Sequence, residues 1–285
     1  MKLSIITDEV SQDFERVIAF ARDFDLDGLE IRSVWDKGPH KLSDEEVEHI
    51  GEMARAANLE ICGVAAPVFK CDLHNEVEVA EHAAIMQRCT QVAQRWNAPM
   101  IRVFTGWRAD NPQSEHEHIA ALFRDKLLPV VEGKSITLGV ENESPCNCGS
   151  GSEVIAFLEL LNAPQATLVY DPCNSFVLGM DDPLHEDYPA LRGKVGHFHV
   201  KDAVRHDDKS ECVALGDGKV SIAEHIEALR ADGFDGWVSL ETHWRMKTAL
   251  DEKTQNLPGG QTFTQDAEPA SRECMRRLQP WVRGV

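Results

Sequence analysis

Short apolar runs alternate with longer amphipathic stretches along most of the chain. The runs are rich in Ile, Val and Leu, which is typical of strands that are buried on both faces in a parallel sheet. We predict eight such strands, Leu3–Thr7, Gly28–Arg32, Glu60–Ala65, Met100–Thr105, Ile136–Glu141, Thr167–Asp171, Gly196–Lys201 and Trp237–Thr242.

The amphipathic stretches between these strands carry helix signals. The clearest is Ser43–Ala57, where Ser43 precedes three acidic residues, as in an N-cap followed by an acidic first turn. The pattern predicts further helices at Glu76–Trp96, Ser114–Glu132, Ser152–Leu161, Ser221–Asp232 and Ala267–Arg283. The segment Lys247–Asp266 contains a Pro-Gly-Gly turn, and we predict that it is a mobile or capping loop.

This order of elements predicts one α/β domain over residues 1–285, folded as a (β/α)8 TIM barrel. Alternation of strand and helix requires parallel strands, and the number of repeats suits a closed barrel. The main rival is an open, doubly wound sheet, which normally has a Gly-rich phosphate-binding turn after its first strand. Here that turn is Thr7-Asp8-Glu9-Val10-Ser11, which is acidic and lacks Gly, so the barrel is favoured.

Composition excludes several classes of binding partner for the protein. The formal net charge of -19 disfavours binding to a nucleic-acid backbone. No apolar run is long enough to span a bilayer and no secretory signal is visible, so we expect a cytoplasmic protein without a membrane partner. The eight Cys lack the spacing of a disulfide scaffold, so reduced thiols are expected. No phosphate cradle is evident, and a phosphorylated substrate is not favoured.

Polar residues occupy one face of several predicted strands near their carboxyl ends. In the stretch VGHFHVKD, the apolar residues share one face while His197, His199 and Lys201 share the other. Inward residues at the carboxyl ends of barrel strands reach the active-site mouth. The same alternation brings further polar residues to an equivalent depth on other strands, namely Glu141, Asp171 and Glu241.

Three buried carboxylates repel one another and lose hydration unless a cation neutralises them. Glu141, Asp171, Glu241 and the imidazole of His199 therefore predict a divalent-metal site. Three oxygen ligands and one nitrogen suit Mn2+ or Mg2+ best, and Co2+ or Zn2+ remain open.

These residues resemble those of the xylose isomerase-like TIM barrels, a superfamily of sugar isomerases and epimerases. The family also includes ketose 3-epimerases, hydroxypyruvate isomerase, inosose dehydratase, 3-dehydroshikimate dehydratase and endonuclease IV. The resemblance covers essentially the whole chain. Its carriers are Ile5-Ile6-Thr7-Asp8-Glu9, Leu26-Asp27-Gly28-Leu29-Glu30-Ile31-Arg32, Val140-Glu141-Asn142, Tyr170-Asp171-Pro172-Cys173-Asn174, His197-Phe198-His199-Val200-Lys201-Asp202 and Leu240-Glu241-Thr242.

The resemblance implies the same metal set and makes Glu141 and Glu241 the catalytic acid and base. It also implies that Arg205 helps to hold the substrate, because an Arg follows the ligand His in these epimerases. In that family a substrate-binding His stands three residues after the Asp ligand. This chain has Asn174 there, so its polyol contact must differ from that of a ketose 3-epimerase.

Further substrate-binding candidates follow from position. Lys201 is expected to polarise the substrate or to neutralise the carboxylates. Glu30 could bind a substrate hydroxyl, orient Lys201 or form a structural salt bridge. His243 follows Glu241, and Trp107 lies in a loop after a strand, so both are candidates for lining the mouth.

The resemblance predicts a metal-dependent isomerase or epimerase that acts on a sugar or polyol-like hydroxy-carbonyl substrate through an enediolate. The same four ligands suit a dehydratase of an inosose or dehydroshikimate-like substrate, which is the alternative. A non-catalytic sugar-binding barrel and an endonuclease IV-like nuclease fit less well, because the ligand set is intact and the net charge is negative. A homo-oligomer is expected only by analogy with relatives.

Overall fold

The computed structural model describes residues 1–207, 209–247 and 266–284. Most of the predicted capping segment Lys247–Asp266 therefore lies outside the described residues, since residues 248–265 belong to no described range. Among the described helices, none combines the length and the apolar run that a membrane crossing requires.

Eight parallel strands close into a barrel, as the sequence predicts. In space their order is β1-β10-β7-β6-β5-β4-β3-β2, and β2 pairs with β1 to complete the ring. The barrel strands are β1 Lys2–Ile6, β2 Gly28–Ile31, β3 Glu60–Val68, β4 Met100–Val103, β5 Thr137–Glu141, β6 Ala166–Tyr170, β7 Val195–Val200 and β10 Trp237–Leu240.

Helices surround this barrel. They are α1 Phe14–Asp23, α2 Asp44–Ala56, α3 Glu76–Trp96, α4 Pro112–Leu122, α5 Leu128–Val131, α6 Gly151–Leu161, α7 Pro172–Leu178, α8 Pro183–Glu186, α9 Ile222–Ala231 and α10 Ala267–Arg283. The predicted helix Ser114–Glu132 is divided, because a π-helical turn at Phe123–Leu127 separates α4 from α5. The N-cap prediction at Ser43 is confirmed, and Ser43 and Glu46 form a reciprocal capping box.

The sequence prediction missed helices α1, α7 and α8, although two of them carry signals. In α1, Asp13 caps the helix and the buried residues recur with helical spacing, Phe14, Val17, Ile18 and Ala21. In α7, Asp171 is the N-cap and Pro172 occupies the first helical position. A strand that ends in Asp-Pro therefore continues directly into a helix.

Alternation along the barrel strands separates two environments. One face packs its apolar side chains against the helices, as Phe198 and Val200 of β7 do, and both are fully buried. The opposite face turns polar side chains into the barrel, where Ser4, His199 and Ser239 lie in register on adjacent strands. The barrel interior is therefore polar along these strands, and that polarity positions the candidate site.

A two-stranded antiparallel hairpin follows β7 directly and was not predicted. It consists of β8 Asp202–His206 and β9 Lys209–Val213. Asp202, its first residue, is buried and accepts backbone N–H hydrogen bonds from Gly216 at 2.9 Å, Gly218 at 3.0 Å and Val220 at 3.1 Å. The final residue of VGHFHVKD thus organises the loop that leads to α9.

Replacing Asp202 by Ala would leave these buried N–H groups without their acceptor. We expect Asp202→Ala to lower the free energy of unfolding by about 3 kcal/mol, because unpaired buried donors are costly. Chemical denaturation followed by circular dichroism measures this change. The control is Glu211→Ala on the exposed side of the same hairpin, and an equal loss in both variants would contradict the role of Asp202.

Candidate metal and active site

Four predicted residues meet at the carboxyl end of the barrel. The strands that deliver them are β5, β6, β7 and β10, which are neighbours in the barrel. Each residue offers one ligand atom, and these atoms all lie within 4.8 Å of one another. We call this group the quartet; it consists of Glu141, Asp171, His199 and Glu241, and all four are buried.

The local fold fixes the direction of Asp171. As the N-cap of α7, its Oδ1 accepts hydrogen bonds from the backbone N–H of Cys173 at 2.8 Å and of Asn174 at 3.1 Å. The side chain of Asn142 accepts from Asp171 N and donates to Asp171 O, both at 2.8 Å. With Oδ1 and the backbone held in this way, Oδ2 is directed at the quartet.

The carboxylates of the quartet are crowded. The pKa of Asp171 is raised to about 6, because burial and repulsion from Glu241 and Glu141 outweigh the opposing charge of Lys201. Lys201 Nζ lies 2.8 Å from Asp171 Oδ2 and 3.1 Å from Glu241 Oε2. Burial would lower the pKa of Lys201, but Asp171 and Glu241 outweigh it and hold the pKa well above its ordinary value.

Each glutamate of the quartet also has an arginine partner. Arg102 Nη1 lies 3.2 Å from Glu141 Oε2, and Arg32 Nη1 donates to Glu241 Oε1. Burial would raise the pKa of both glutamates. It is outweighed at Glu141 by Arg102 and His199, and at Glu241 by Lys201 and His243. Both pKa values are therefore lowered, and both groups are carboxylates at neutral pH.

The quartet fits a divalent cation. Within the described part of the chain, Glu141 Oε2 and Asp171 Oδ2 are buried and accept no hydrogen bond, although a cationic side chain lies within ion-pair distance of each. Buried carboxylate oxygens of this kind are expected to bind a donor or a metal. Three carboxylates and an imidazole nitrogen form a donor set of mixed oxygen and nitrogen that divalent metals accept.

His199 is oriented from behind by Glu30. Its Nδ1 lies 2.8 Å from Glu141 Oε1, while its Nε2 lies 3.0 Å from Glu30 Oε2. Glu30 Oε2 also lies 2.9 Å from His197 Nε2, which in turn contacts Ser239 Oγ at 2.9 Å. A carboxylate that holds the second nitrogen of a histidine is the usual support of a metal ligand.

The remaining predicted substrate-binding residues have different positions. Lys201 touches the quartet, and so does His243, whose Nε2 lies 3.4 Å from Glu241 Oε1. Glu30 contacts both barrel histidines and is fully buried beneath the quartet. Asn174 donates to the Asn142 carbonyl at 2.8 Å.

Two predicted residues lie apart from the quartet. Arg205, on β8, pairs with Asp181 at 2.6 Å and stacks its guanidinium on the Phe176 ring. Trp107 is 43% exposed and forms an isolated β-bridge with Cys146. Neither has a hydrogen bond or ion pair with the quartet among the interactions described. Their roles as substrate contacts therefore stay predictions.

Sequence reasoning missed the two arginines beside the quartet. Arg102 is an isolated charge in the apolar strand β4, and Arg32 directly follows β2. Both are buried, and a buried arginine requires carboxylate partners. An arginine on the polar face of a predicted barrel strand was thus a usable signal.

A second group next to the quartet could also hold a metal by its geometry, namely Glu9, Glu241 and His243. Glu9 is already neutralised, because its Oε1 accepts from Arg32 at 2.8 Å and its Oε2 from Arg245 at 3.2 Å. Two guanidinium groups at one carboxylate oppose the approach of a further cation. The quartet is therefore the better metal site.

Comparison with protein families agrees with this geometry. The family model described as xylose isomerase-like TIM barrel matches residues 18–276. The chain belongs to this family. As a xylose isomerase-like barrel, it has a closed ring of eight strands that matches the fold expected from the resemblance in sequence.

Solved structures resemble this xylose isomerase-like barrel over nearly their full length. A crystal structure of IolI protein with a binding zinc atom covers 100% of this chain and 99% of its own at 15% identity, with a TM-score of 0.73. D-psicose 3-epimerase with D-tagatose, from Clostridium cellulolyticum H10, covers 100% and 99% at 16% identity and a TM-score of 0.75. The probable 3-DHS dehydratase AsbF from Bacillus anthracis covers 98% of both chains at 19% identity and a TM-score of 0.74. At these identities the likeness shows the fold alone.

The position of Glu30 behind His199 gives a prediction about metal affinity. Glu30→Gln removes the charge that orients the imidazole, so we expect divalent-metal affinity to fall about 10- to 100-fold with the fold retained. Calorimetric titration of the metal-free protein with Mn2+ measures this change. The matched control is Glu60→Gln at the exposed start of the next strand. Unchanged affinity in a folded Glu30→Gln protein would rule out the orienting role.

Proposed function

We propose that the protein is a divalent-metal-dependent isomerase or epimerase of a sugar or sugar-like hydroxy-carbonyl substrate. Glu141 and Glu241 act as the acid and base in this proposal. The observation that carries it is the quartet itself, which joins four buried donors from four strands at the barrel mouth. Membership of the xylose isomerase-like family supports the enzyme class, because its structural neighbours include sugar epimerases.

Glu141, Asp171, His199 and Glu241 would hold the metal. A divalent cation bound there supplies positive charge that stabilises negative charge developing on substrate oxygens. The oxygen-rich donor set favours Mn2+ or Mg2+. The structural neighbour IolI has a zinc atom, so Zn2+ is also a candidate, as is Co2+.

The two glutamates are suited to proton transfer from different sides. Glu141 ends β5 and Glu241 follows β10, and two strands, β6 and β7, separate them in the barrel. A substrate between them would have one carboxylate on each side. Both carboxylates are ionised because their pKa values are lowered, so either one can accept a proton from carbon.

The product depends on where the proton returns. Return to the neighbouring carbon gives an aldose–ketose isomer, and return to the opposite face of the same carbon gives an epimer. The quartet is buried, so a substrate bound there would react away from bulk water. Lys201, between Asp171 and Glu241, would bind a substrate oxygen and so hold the reacting carbon near Glu241.

A dehydratase is the second candidate, and Lys201 is the observation that favours it. Its ammonium group is buried within hydrogen-bond distance of two carboxylates of the quartet. Placed near a β-hydroxyl of the substrate, this group would hydrogen-bond the departing oxygen, while Glu241 returns the proton taken from carbon so that the hydroxyl leaves as water. The similarity to the probable 3-DHS dehydratase AsbF agrees with this candidate in fold.

Solvent-deuterium exchange tests the proposal. We expect the Mn2+-loaded protein to incorporate deuterium at carbon into one member of a panel of ketoses, inososes and hydroxy-keto acids. We expect Glu141→Gln and Glu241→Gln to slow exchange about 10²- to 10⁴-fold, because each removes a proton acceptor. Mass spectrometry measures the label, and Glu159→Gln on the outer helix α6 is the control. A product that has lost water, without deuterium incorporated at carbon, would favour the dehydratase. Exchange at the full rate in both variants would exclude Glu141 and Glu241 as the acid and base.

Removing the metal gives an independent prediction. Chelation is expected to abolish exchange, and Mn2+ added back is expected to restore it. The affinity of Asp171→Asn for the metal is expected to be about tenfold lower than that of the wild type, because the variant loses one charged ligand. The control is Asp182→Asn, a half-exposed carboxylate outside the barrel. Exchange at the full rate in metal-free protein would contradict metal dependence.

A further inference from the structure

A cavity of about 310 Å³ lies beside the quartet, between the loops that follow β2 and β3 and the helix α3. One residue of its lining, Arg32, also contacts the quartet. Arg32 lines the cavity and donates to Glu241, and Lys70 lines it and lies 3.2 Å from Glu143. We call it the β2–β3 cavity; its lining includes Arg32, Asp36, His40, Lys41, Lys70 and His82.

The charge of this lining is opposite to that of the whole protein. The chain has a formal net charge of -19, yet the side chains around the cavity include three permanent cations and a single carboxylate, that of Asp36. Arg32 and Lys70 already have carboxylate partners. Lys41 is exposed and forms no ion pair with any described residue, so its charge is available to a ligand.

His40 supplies an unused hydrogen-bonding atom. Its Nδ1 is buried and has no hydrogen-bond partner among the described residues. Burial, with smaller contributions from Lys41 and His82, lowers the pKa of His40 to about 4. The groups that act on this imidazole are thus all basic. A neutral imidazole with hydrogen on Nδ1 could donate to an anion in the cavity.

His82 does not compete for such a ligand. Its Nδ1 accepts a hydrogen bond from Phe69 N at 2.9 Å, and its ring also hydrogen-bonds the backbone of Pro67, so the imidazole is committed to the backbone. Lys41 and His40 are therefore the groups available for contact, while Arg32 and Lys70 border the cavity with their own partners. A lysine and a neutral imidazole suit a carboxylate or a phosphate.

We propose that the β2–β3 cavity binds an anionic group, a carboxylate or a phosphate, at the far end of the substrate. This inference rests on the proposed function, in which the hydroxy-carbonyl end of the substrate lies at the quartet. Arg32, which lines the cavity and donates to Glu241, places the two positions next to each other. The substrate is then an acidic or phosphorylated sugar derivative rather than a neutral sugar.

Anion titration of the metal-free protein tests the cavity separately from the quartet. The probes are inorganic phosphate and acetate, and their binding is measured by NMR of the backbone amides at residues 36–38, 40 and 41. Without metal the cationic neighbours of the quartet are already paired with its carboxylates, so the quartet offers the probes no free cation. We expect saturable shifts with at least one probe, and Lys41→Ala to weaken the affinity about five- to tenfold. His40→Phe removes the ring nitrogens and should also weaken the affinity for the probe. His40→Gln keeps a hydrogen-bond donor and should weaken that affinity less.

The control is Lys194→Ala, an exposed lysine just before β7 at the opposite end of the barrel. Lys194→Ala should bind the probes as the wild type does. The proposal is overturned if neither probe shifts the amides, or if Lys41→Ala and Lys194→Ala are equally affected. Deuterium exchange by the wild-type protein reports the proposed function separately, so failure of the chemistry and failure of anion binding are distinguishable.

A set of three substrates then identifies the anion. We would compare three substrates of the Mn2+-loaded protein: a ketohexose, the uronate in which its terminal carbon is a carboxylate, and its 6-phosphate. We expect one anionic form to have the highest kcat/KM, and Lys41→Ala to lower that value about tenfold relative to the ketohexose. Preference for the uronate indicates a carboxylate substrate, and preference for the phosphate ester indicates a phosphorylated one. Equal kcat/KM for all three would refute the inference.

Discussion

Neutralisation of buried carboxylates is the constraint on which the candidate site depends. Asp8, Glu9, Glu30, Glu141, Asp171 and Glu241 are all buried around the barrel mouth and interior. A buried carboxylate costs several kcal/mol unless a cation or hydrogen-bond donors compensate it. In this barrel the compensation comes from Arg32, Arg102 and Lys201 and from the barrel histidines.

This compensation divides the carboxylates into two kinds. Glu9 and Glu30 have both oxygens occupied by cationic or imidazole groups, so they support the structure around the quartet. Glu141 and Asp171 each keep one buried oxygen without a hydrogen bond in the described part of the protein. These two oxygens have only an ion-pair partner, Arg102 or Lys201, and they lie where four strands converge, so a divalent cation there would give each of them a ligand bond. The same division makes the neighbouring Glu9 group a poorer metal site than the quartet.

The barrel could be predicted from the sequence because each strand carries its own local pattern. The quartet could be predicted too, since alternation fixes which residues of a strand share a face and barrel closure brings the strand ends together. The arginine partners could not be assigned in this way. The contact between Arg32 and Glu241 joins residues far apart in sequence, and it depends on how far a long side chain reaches across the barrel.

The hairpin β8–β9 was missed for a similar reason. Its stabilisation comes from Asp202, which binds backbone groups up to Val220, and no apolar period in the sequence marks that contact. The barrel mouth also contains charged residues that the alternation along the strands did not predict, including the basic lining of the β2–β3 cavity. Residues that follow the strands therefore add to the charge of the mouth beside those within the strands.

The most direct test of the quartet is anomalous X-ray diffraction from crystals of the protein soaked in Mn2+. A single strong anomalous peak is predicted within coordination distance of Glu141, Asp171, His199 and Glu241, and it should disappear in crystals of Asp171→Asn. Absence of a peak at the quartet in the wild type, or a dominant peak beside Glu9 and His243, would contradict a metal centre built from these four residues.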